Sequence, residues 1–198
     1  MTLFRRLGAL GVLALLIPAA GAVTFAAYTA TTMNSGNAVE AGSVKLSNNG
    51  DGSSLMSLSG AVPGDTTSAC IKVTYGGSLP STVRLYGTTT GSGLDQYLDL
   101  KVTRGVYNPS DPAFKSCTNF QADGTNYIGA GNGVIYNGTL QGFADDYASG
   151  LVDPVSGSPE SWTNGEPHVY KVQVTVQSDF AAQNKDAAQT FKWEARNQ

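Results

Sequence analysis

The chain has 198 residues, of which 41% are hydrophobic, only 14% are charged and 24 are glycine. Average soluble proteins contain about 25% charged residues, so Ser, Thr, Asn, Gln and Gly must cover most of this surface. Such a composition argues against a helical bundle and favours many short strands joined by turns. The formal net charge of −3 offers no basic surface to nucleic acid. The length suits one domain after removal of a processed segment.

The amino-terminal segment has the features of an export signal. Arg5 and Arg6 precede residues 7–27, a run without charge and almost without polar side chains. We predict a signal peptide over residues 1–26, which a signal peptidase removes by cutting between Ala26 and Ala27. Its removal leaves 10 basic and 15 acidic residues, a net charge of −5.

The cleavage itself has alternatives. Ala20 and Ala22 are also small enough to precede a signal peptidase cut. The uncharged run approaches the roughly 20 residues that span a bilayer, so the alternative to cleavage is an uncleaved anchor. Pro18 and the Gly and Ala content favour cleavage. We therefore expect a secreted protein, extracellular or associated with the cell surface, that is free of the membrane after cleavage.

Apolar side chains alternate with polar ones along most of the mature chain. Tyr170, Val172 and Val174 share one face of a strand, with Lys171 and Gln173 on the other. The same alternation predicts at least seven strands, over residues 43–47, 54–59, 71–75, 82–88, 98–103, 170–177 and 190–196. Each apolar face must be buried against a second sheet. Residues 27–198 are therefore predicted to form a single all-β domain, an antiparallel β-sandwich of jelly-roll type.

The alternation fades between residues 105 and 165, where Gly, Asn, Asp, Ser and Pro predominate. We predict a long, loop-rich insertion that contains one or two hairpins and a short helix near residues 140–147. Its aromatic side chains, including Tyr136, Tyr147 and Trp162, have two interpretations. They form a small core beneath the loop, which we favour, or an exposed contact surface for a carbohydrate or a protein.

Cys70 and Cys117 are the only cysteines, an even number in a chain that we expect to reach an oxidising compartment. They predict a structural disulfide rather than a metal site. Cys70 is out of phase with Ile71 and Val73, so its thiol should leave the strand on the face away from the core. The bridge would then fasten the segment around Cys117 to the outside of the sheet.

The sequence lacks most of the residues that catalysis requires. His168 is the only histidine, and it stands beside Pro167 at the start of a strand, where we expect a surface or strand-edge position. The sequence contains no His-Glu-x-x-His zinc motif and no Gly-x-Ser-x-Gly nucleophile motif. We therefore predict no catalytic residue, no metal ligand, no cofactor and no enzymatic activity.

Several short motifs, in their order along the chain, are similar to those of one family. They are residues 21–28 (GAVTFAAY), 41–47 (AGSVKLS), 58–65 (LSGAVPGD), 77–79 (GSL) and 191–195 (FKWEA). With these motifs the chain resembles the TasA/camelysin group of Gram-positive surface proteins, whose signal peptide is often cut by the dedicated signal peptidase SipW. The resemblance covers residues 21–104 and 168–197 and does not extend to the insertion.

The resemblance implies a jelly-roll fold and, from the best-known member of the group, assembly into biofilm matrix fibres. In such fibres the mature N-terminal segment adds as a strand to the neighbouring subunit. Residues 27–37 form the matching segment here, with residues 34–37 as its hinge, and they need a sheet edge to pair with. The alternative is that the segment folds back on its own domain or stays disordered. The candidate donor strand consists of Ala27, Tyr28, Thr29, Ala30, Thr31 and Thr32.

These observations lead to one main hypothesis and two alternatives. The first is a secreted structural protein of the cell surface or biofilm matrix, which self-associates into fibres by N-terminal strand addition or binds other matrix proteins. The second is a monomeric secreted binding module that uses the aromatic residues of the insertion. An extracellular metallopeptidase, an activity sometimes assigned to members of this group, ranks last because the sequence lacks a zinc motif.

Overall fold

The computed structural model describes residues 29–33, 44, 46–50, 52–152, 154–155 and 158–197. The predicted signal peptide and its cleavage site at Ala26 and Ala27 lie outside the described residues. Within the described ranges there are two 3₁₀ helices, Asp95–Tyr97 and Phe180–Ala182, and no helix there is long and apolar enough to cross a membrane. The strands, in chain order, are β1 (Thr29–Met33), β2 (Leu46–Asn48), β3 (Thr66–Tyr75), β4 (Ser81–Gly91), β5 (Leu98–Tyr107), β6 (Phe120–Ala122), β7 (Val134–Thr139), β8 (Leu151–Val152), β9 (Pro154–Val155), β10 (Ser158–Pro159), β11 (Ser161–Trp162), β12 (Pro167–Val176) and β13 (Ala187–Asn197).

These strands form two main sheets and one small hairpin. The order in the first sheet is β1-β13-β4-β11, and β8 also pairs with β4. The order in the second sheet is β2-β3-β12-β5-β6, and β7 pairs with β5 as well. The hairpin consists of β9 and β10. All of these pairings are antiparallel, so the prediction of an all-β, antiparallel fold is confirmed.

The core lies between the two main sheets, where their apolar rows meet. Tyr170, Val172 and Val174 are buried along one face of β12, whereas Lys171 on the other face is only partly buried. Trp193 of β13 lies against Tyr170 with ring centroids 5.4 Å apart, so this contact joins the two sheets. Burial follows the alternation in the sequence, and the prediction of a β-sandwich is confirmed. The finer jelly-roll assignment stays a prediction.

Most of the predicted strands are present with small shifts at their ends. The predicted segments 43–47, 71–75, 82–88, 98–103, 170–177 and 190–196 correspond to β2, β3, β4, β5, β12 and β13. The strand predicted for residues 54–59 is wrong, because these residues run as irregular chain.

The failure at residues 54–59 has a local cause. Leu55 is buried in the core and its neighbour Met56 packs against the same core, so the two do not point to opposite faces. The Ser54 hydroxyl donates a hydrogen bond to the Met56 carbonyl at 2.9 Å. Serine side chains offer the backbone local partners of this kind, which compete with strand pairing.

Residues 105–165 contribute strands to both sheets. β5 continues to Tyr107, and β6 and β7 extend the second sheet beside it. β8 and β11 pair with β4 in the first sheet. Gly105 permits the close approach of β6, since a Cβ atom there would lie 2.1 Å from the carbonyl oxygen of Gln121. The region predicted as an insertion is therefore part of the sandwich.

The short helix predicted near residues 140–147 is wrong, because this segment forms consecutive turns. The Phe143 N–H donates to the Leu140 carbonyl at 3.1 Å, and both side chains are buried in the core. The Ala144 carbonyl accepts a hydrogen bond at 2.9 Å from the N–H of Gly87 on β4. The segment thus bonds within single turns and to β4, and it does not continue as a helix.

Cys70 and Cys117 form a disulfide with their Cα atoms 5.2 Å apart, as predicted. The Cys70 N–H also donates to the Lys115 carbonyl at 3.1 Å. Tyr107, at the end of β5, donates from its hydroxyl to the Ser116 carbonyl at 3.1 Å. Because β12 separates β5 from β3, the chain between β5 and β6 crosses the outside of the second sheet and is fastened to β3 by the bridge.

Candidate functional site

The first candidate site is the edge of the first sheet, which β1 occupies. β13 pairs with β4 over its whole length, but β1 covers only the part of β13 from Lys192 to Arg196. Among the described residues, β13 is the only strand with which β1 pairs. Without β1, this part of β13 would present unpaired N–H and C=O groups to solvent.

The candidate donor strand lies partly within β1. Ala27 and Tyr28 are outside the described residues, as are residues 34–37 of the predicted hinge. β1 pairs with β13 of the same chain, the arrangement in which the segment folds back on its own domain. The residues of the candidate donor strand that lie in β1 are Thr29, Ala30, Thr31 and Thr32.

A buried carboxylate lies on β13 at the level where β1 pairs. Glu194 is only 4% exposed and accepts a hydrogen bond from the Tyr86 hydroxyl. Its Oε2 is 3.2 Å from Lys192 Nζ, and its Oε1 is 2.8 Å from Arg196 Nη2. The Arg196 guanidinium also lies 3.7 Å from the centre of the Tyr147 ring. Burial disfavours the charged form of Glu194, but the hydrogen bonds outweigh burial and lower the pKa of the carboxyl.

We expect Glu194→Gln to lower the free energy of unfolding by about 2 kcal/mol near neutral pH, since it removes hydrogen bonds to a charged group. The folded-state pKa of Glu194 lies below the reference value of 4.5. The stabilisation is therefore complete above that value and is lost as the pH falls through the folded-state pKa. Urea unfolding from neutral to acidic pH should show the difference between wild type and variant shrinking. The exposed Asp145→Asn serves as control, and a difference that stays constant with pH contradicts the prediction.

A second candidate site lies between the sheets at the end where β12 begins. His168 continues the inward row of Tyr170 and Val172 and is 6% exposed, so the expected surface or strand-edge position is wrong. Its ring lies against Trp162 of β11, with the centroids 4.2 Å apart. Arg104 is opposite Tyr170 on β5 and is also buried. Both polar side chains thus end apolar rows of the core.

The imidazole of His168 is paired with a glutamate two residues earlier. His168 Nε2 and Glu166 Oε1 are 3.0 Å apart. Thr163 donates from its N–H and its hydroxyl to Glu166 Oε2, at 2.7 and 2.9 Å. Burial opposes ionisation of Glu166, but the hydrogen bonds from Thr163 and His168 outweigh it and lower the pKa of the carboxyl. Glu166 is therefore held as a carboxylate with Oε1 directed at the imidazole.

A second glutamate reaches this cluster from the opposite sheet. Glu160 directly precedes β11, and its Oε2 lies 2.5 Å from Arg104 Nη1. Arg104 Nε is 3.1 Å from Asp123 Oδ2, so one guanidinium holds two carboxylates. One carboxylate oxygen each of Glu160 and Glu166 and one ring nitrogen of His168 all lie within 4.8 Å of one another. Residue types that bind metal ions are thus brought together here.

The cluster of Glu160, Glu166 and His168 was not predicted from the sequence. The sequence does indicate the inward position of His168, because His168 and Tyr170 are two residues apart on one strand and therefore lie on the same face. Glu160 carries no such signal, since it lies in an irregular stretch whose position depends on the pairing of β11 with β4. Its approach to the other two residues follows from the packing of the sheets.

The aromatic side chains of residues 105–165 lie mainly in the core. Trp162 is fully buried. Tyr136 contacts Phe143 with ring centroids 5.2 Å apart, and Phe143 contacts Phe191 of β13 at 5.6 Å. These contacts favour buried packing over an exposed contact surface. They also show that these aromatic rings extend the main core.

A cavity of about 530 Å³ opens between the sheets at the end opposite His168. Leu55, Val176 and Phe191 are among its mostly apolar lining residues. Its volume is within the range of small-molecule pockets, which is roughly 300–1,000 Å³. A binding-module function would therefore have this cavity available instead of the aromatic residues.

No protein-family model matches the chain, and no curated protein is significantly similar to it.

Proposed function

We propose that this protein is a secreted structural subunit of the cell surface or of a biofilm matrix, similar in design to the TasA/camelysin group. Its subunits associate by exchange of β1, which leaves its own β13 and pairs with the β13 of a neighbouring copy. The observation that carries this proposal is the position of β1. It is a five-residue strand close to the predicted mature N-terminus, and it pairs with β13, which would be the edge strand of the sheet without it.

Strand exchange costs little free energy in such an arrangement. The backbone hydrogen bonds between β1 and β13 are the same whether the two strands come from one chain or from two, so the net cost is mainly the entropy of association. Residues 34–43 connect Met33 to Val44. Ten residues of extended chain span at most about 33–36 Å, a reach comparable to the dimensions of a small domain. The exchange is thus concentration-dependent and leaves the rest of the fold unchanged.

The disulfide is compatible with a location outside the cell. Such bridges form and persist in oxidising compartments, and Cys70–Cys117 fastens a crossing segment to the outside of the sheet. Together with the predicted signal peptide at residues 1–26, the bridge supports export. We propose no catalytic activity for the protein. The monomeric binding module is the second candidate, favoured by the apolar cavity near Leu55 and Phe191.

Deleting residues 27–33 from the mature protein is expected to abolish filaments, because it removes the exchanged strand. Electron microscopy and light scattering of the mature chain and the deletion variant, over a range of concentrations, measure the effect. A synthetic peptide of residues 27–34 should bind the deletion variant in a 1:1 ratio, since the edge of β13 is then open.

A matched pair of single substitutions separates pairing from composition. Thr31→Pro fixes φ at about −65° in the middle of β1, far from the roughly −140° of an antiparallel strand, so it should prevent filaments. Thr31→Val keeps the strand propensity and should leave filaments intact. Filaments that persist without residues 27–33 would rule out strand exchange. A mature protein that stays monomeric at all concentrations would favour the binding module.

A further inference from the structure

We propose that Glu160, Glu166 and His168 form a binding site for one Zn²⁺ ion. This inference goes beyond the assembly function and does not depend on it. The expectation from the sequence was different: the chain contains no zinc motif, and no metal ligand was predicted. The cluster is formed by the fold, because Glu160 precedes β11 of the first sheet, whereas Glu166 directly precedes β12 of the second sheet and His168 lies at its start.

The ligand types and their spacing fit a borderline metal ion. Zn²⁺ binds imidazole nitrogen and carboxylate oxygen at about 2.0–2.2 Å, which in tetrahedral geometry places the ligand atoms roughly 3.3–3.6 Å apart. The three ligand atoms here lie within 4.8 Å of one another, and the His168 and Glu166 atoms are 3.0 Å apart. The two glutamate side chains are each 22% exposed, which leaves them room to turn toward a bound ion. Three protein ligands leave the fourth tetrahedral position of the ion for water.

The surrounding residues orient the proposed ligands. Thr163 holds Glu166 Oε2, which leaves Oε1 facing the imidazole. Arg104 holds one oxygen of Glu160. Trp162 packs against the ring of His168 and restricts its rotation. Outer-shell contacts of this kind fix the orientation of metal ligands and contribute to metal affinity.

The charges of the cluster favour a divalent cation. Asp123, Glu160 and Glu166 supply three carboxylates, whereas Arg104 supplies one guanidinium. With neutral imidazole, these four groups carry a net charge of about −2, which is costly in a half-buried position. A divalent ion balances this charge. Binding through Nε2 requires the neutral tautomer of His168 whose proton is on Nδ1, so the ring keeps its charge and no net proton is released.

The proposed ion joins the two sheets at the end of the sandwich opposite the cavity. Its ligands come from residues on either side of the turn at Thr163–Glu166, which is closed by the Glu166 N–H bond to the Thr163 carbonyl at 3.0 Å. Bound zinc would therefore tie β11 to β12 and raise the midpoint of thermal unfolding, since it binds the folded chain in preference to the unfolded one. We assign the site a structural role.

Isothermal titration of the tag-free mature protein with Zn²⁺ tests the proposal. We expect one ion per chain and an upward shift of the unfolding temperature. Glu160→Gln and Glu166→Gln, which keep the shape of the side chain, should each weaken Zn²⁺ affinity at least about tenfold. Asp145→Asn removes an exposed carboxylate elsewhere and should bind zinc as the wild type does.

An X-ray absorption spectrum of the zinc-loaded wild type provides a test that needs no variant. His168 is the only histidine, and the described residues contain no free cysteine, so an imidazole signal must come from His168 and sulfur should be absent. The proposal is overturned if the wild type shows no saturable 1:1 binding, if both Gln variants bind zinc unchanged, or if the zinc spectrum lacks imidazole. Should a Gln variant fail to fold, the spectrum of the wild type decides.

Discussion

Removing the disulfide is expected to lower the free energy of unfolding by about 4 kcal/mol in the Cys70→Ala, Cys117→Ala double variant. The bridge joins residues separated by 47 positions, and a loop of this length loses much of its unfolded-state entropy when it is closed. Cys70 is also fully buried beneath the crossing segment, so the variant loses packing there as well. Urea unfolding at neutral pH measures the difference.

The reduced wild type is the control for this prediction. It lacks the bridge but keeps both sulfur atoms, so it should show most of the loss, and the double variant should gain no further instability from a reducing agent. The single variant Cys70→Ala should be about as unstable as the double variant, because either substitution opens the loop. A loss below about 1 kcal/mol would mean that the unfolded chain stays compact around this segment without the bridge.

Trp193→Ala should cost about 3–5 kcal/mol of unfolding free energy, because it leaves a large cavity between the two sheets. Trp193 is fully buried on β13 and its ring contacts Tyr170 of β12. Trp193→Phe should cost much less, since the ring is largely kept. The Trp193 Nε1–H finds no hydrogen-bond partner among the described residues, so its loss carries no penalty. Thermal and urea unfolding of the two variants measure the difference.

Phe180→Ala is the matched control for the tryptophan prediction. Phe180 is also aromatic, but it is 84% exposed in a 3₁₀ helix beside the sandwich. Surface substitutions away from special features usually change stability by no more than about 0.5 kcal/mol. Equal losses for Trp193→Ala and Phe180→Ala would contradict the placement of Trp193 at the centre of the core.

The proposed zinc site and the strand proposed to exchange lie in different parts of the molecule, and the two proposals have different consequences. Zinc at Glu160, Glu166 and His168 would stabilise one end of the sandwich within each subunit. Exchange of β1 at the edge of β13 would join subunits. Filament formation by the Glu166→Gln variant would therefore be unaffected, and zinc binding by the variant that lacks residues 27–33 would be retained.

Local patterns predicted most strands because burial repeats every second residue along them. Residues 170–177 show this well, since Tyr170, Val172 and Val174 are both apolar and buried. The same reasoning failed at residues 54–59, where the neighbours Leu55 and Met56 both contact the core and the Ser54 hydroxyl bonds to the Met56 carbonyl. It also failed near residues 140–147, where the chain forms turns and bonds to β4 through the Ala144 carbonyl.

By itself the sequence determined that this is an all-β sandwich with one outward-facing disulfide between Cys70 and Cys117, since strand period and cysteine phase are local properties. Only the tertiary structure decided where β1 pairs, how residues 105–165 divide between the sheets, and that Glu160 meets Glu166 and His168. Those arrangements depend on strand register and on the packing of one sheet against the other. Register and packing are set by contacts between distant residues, which no local pattern records.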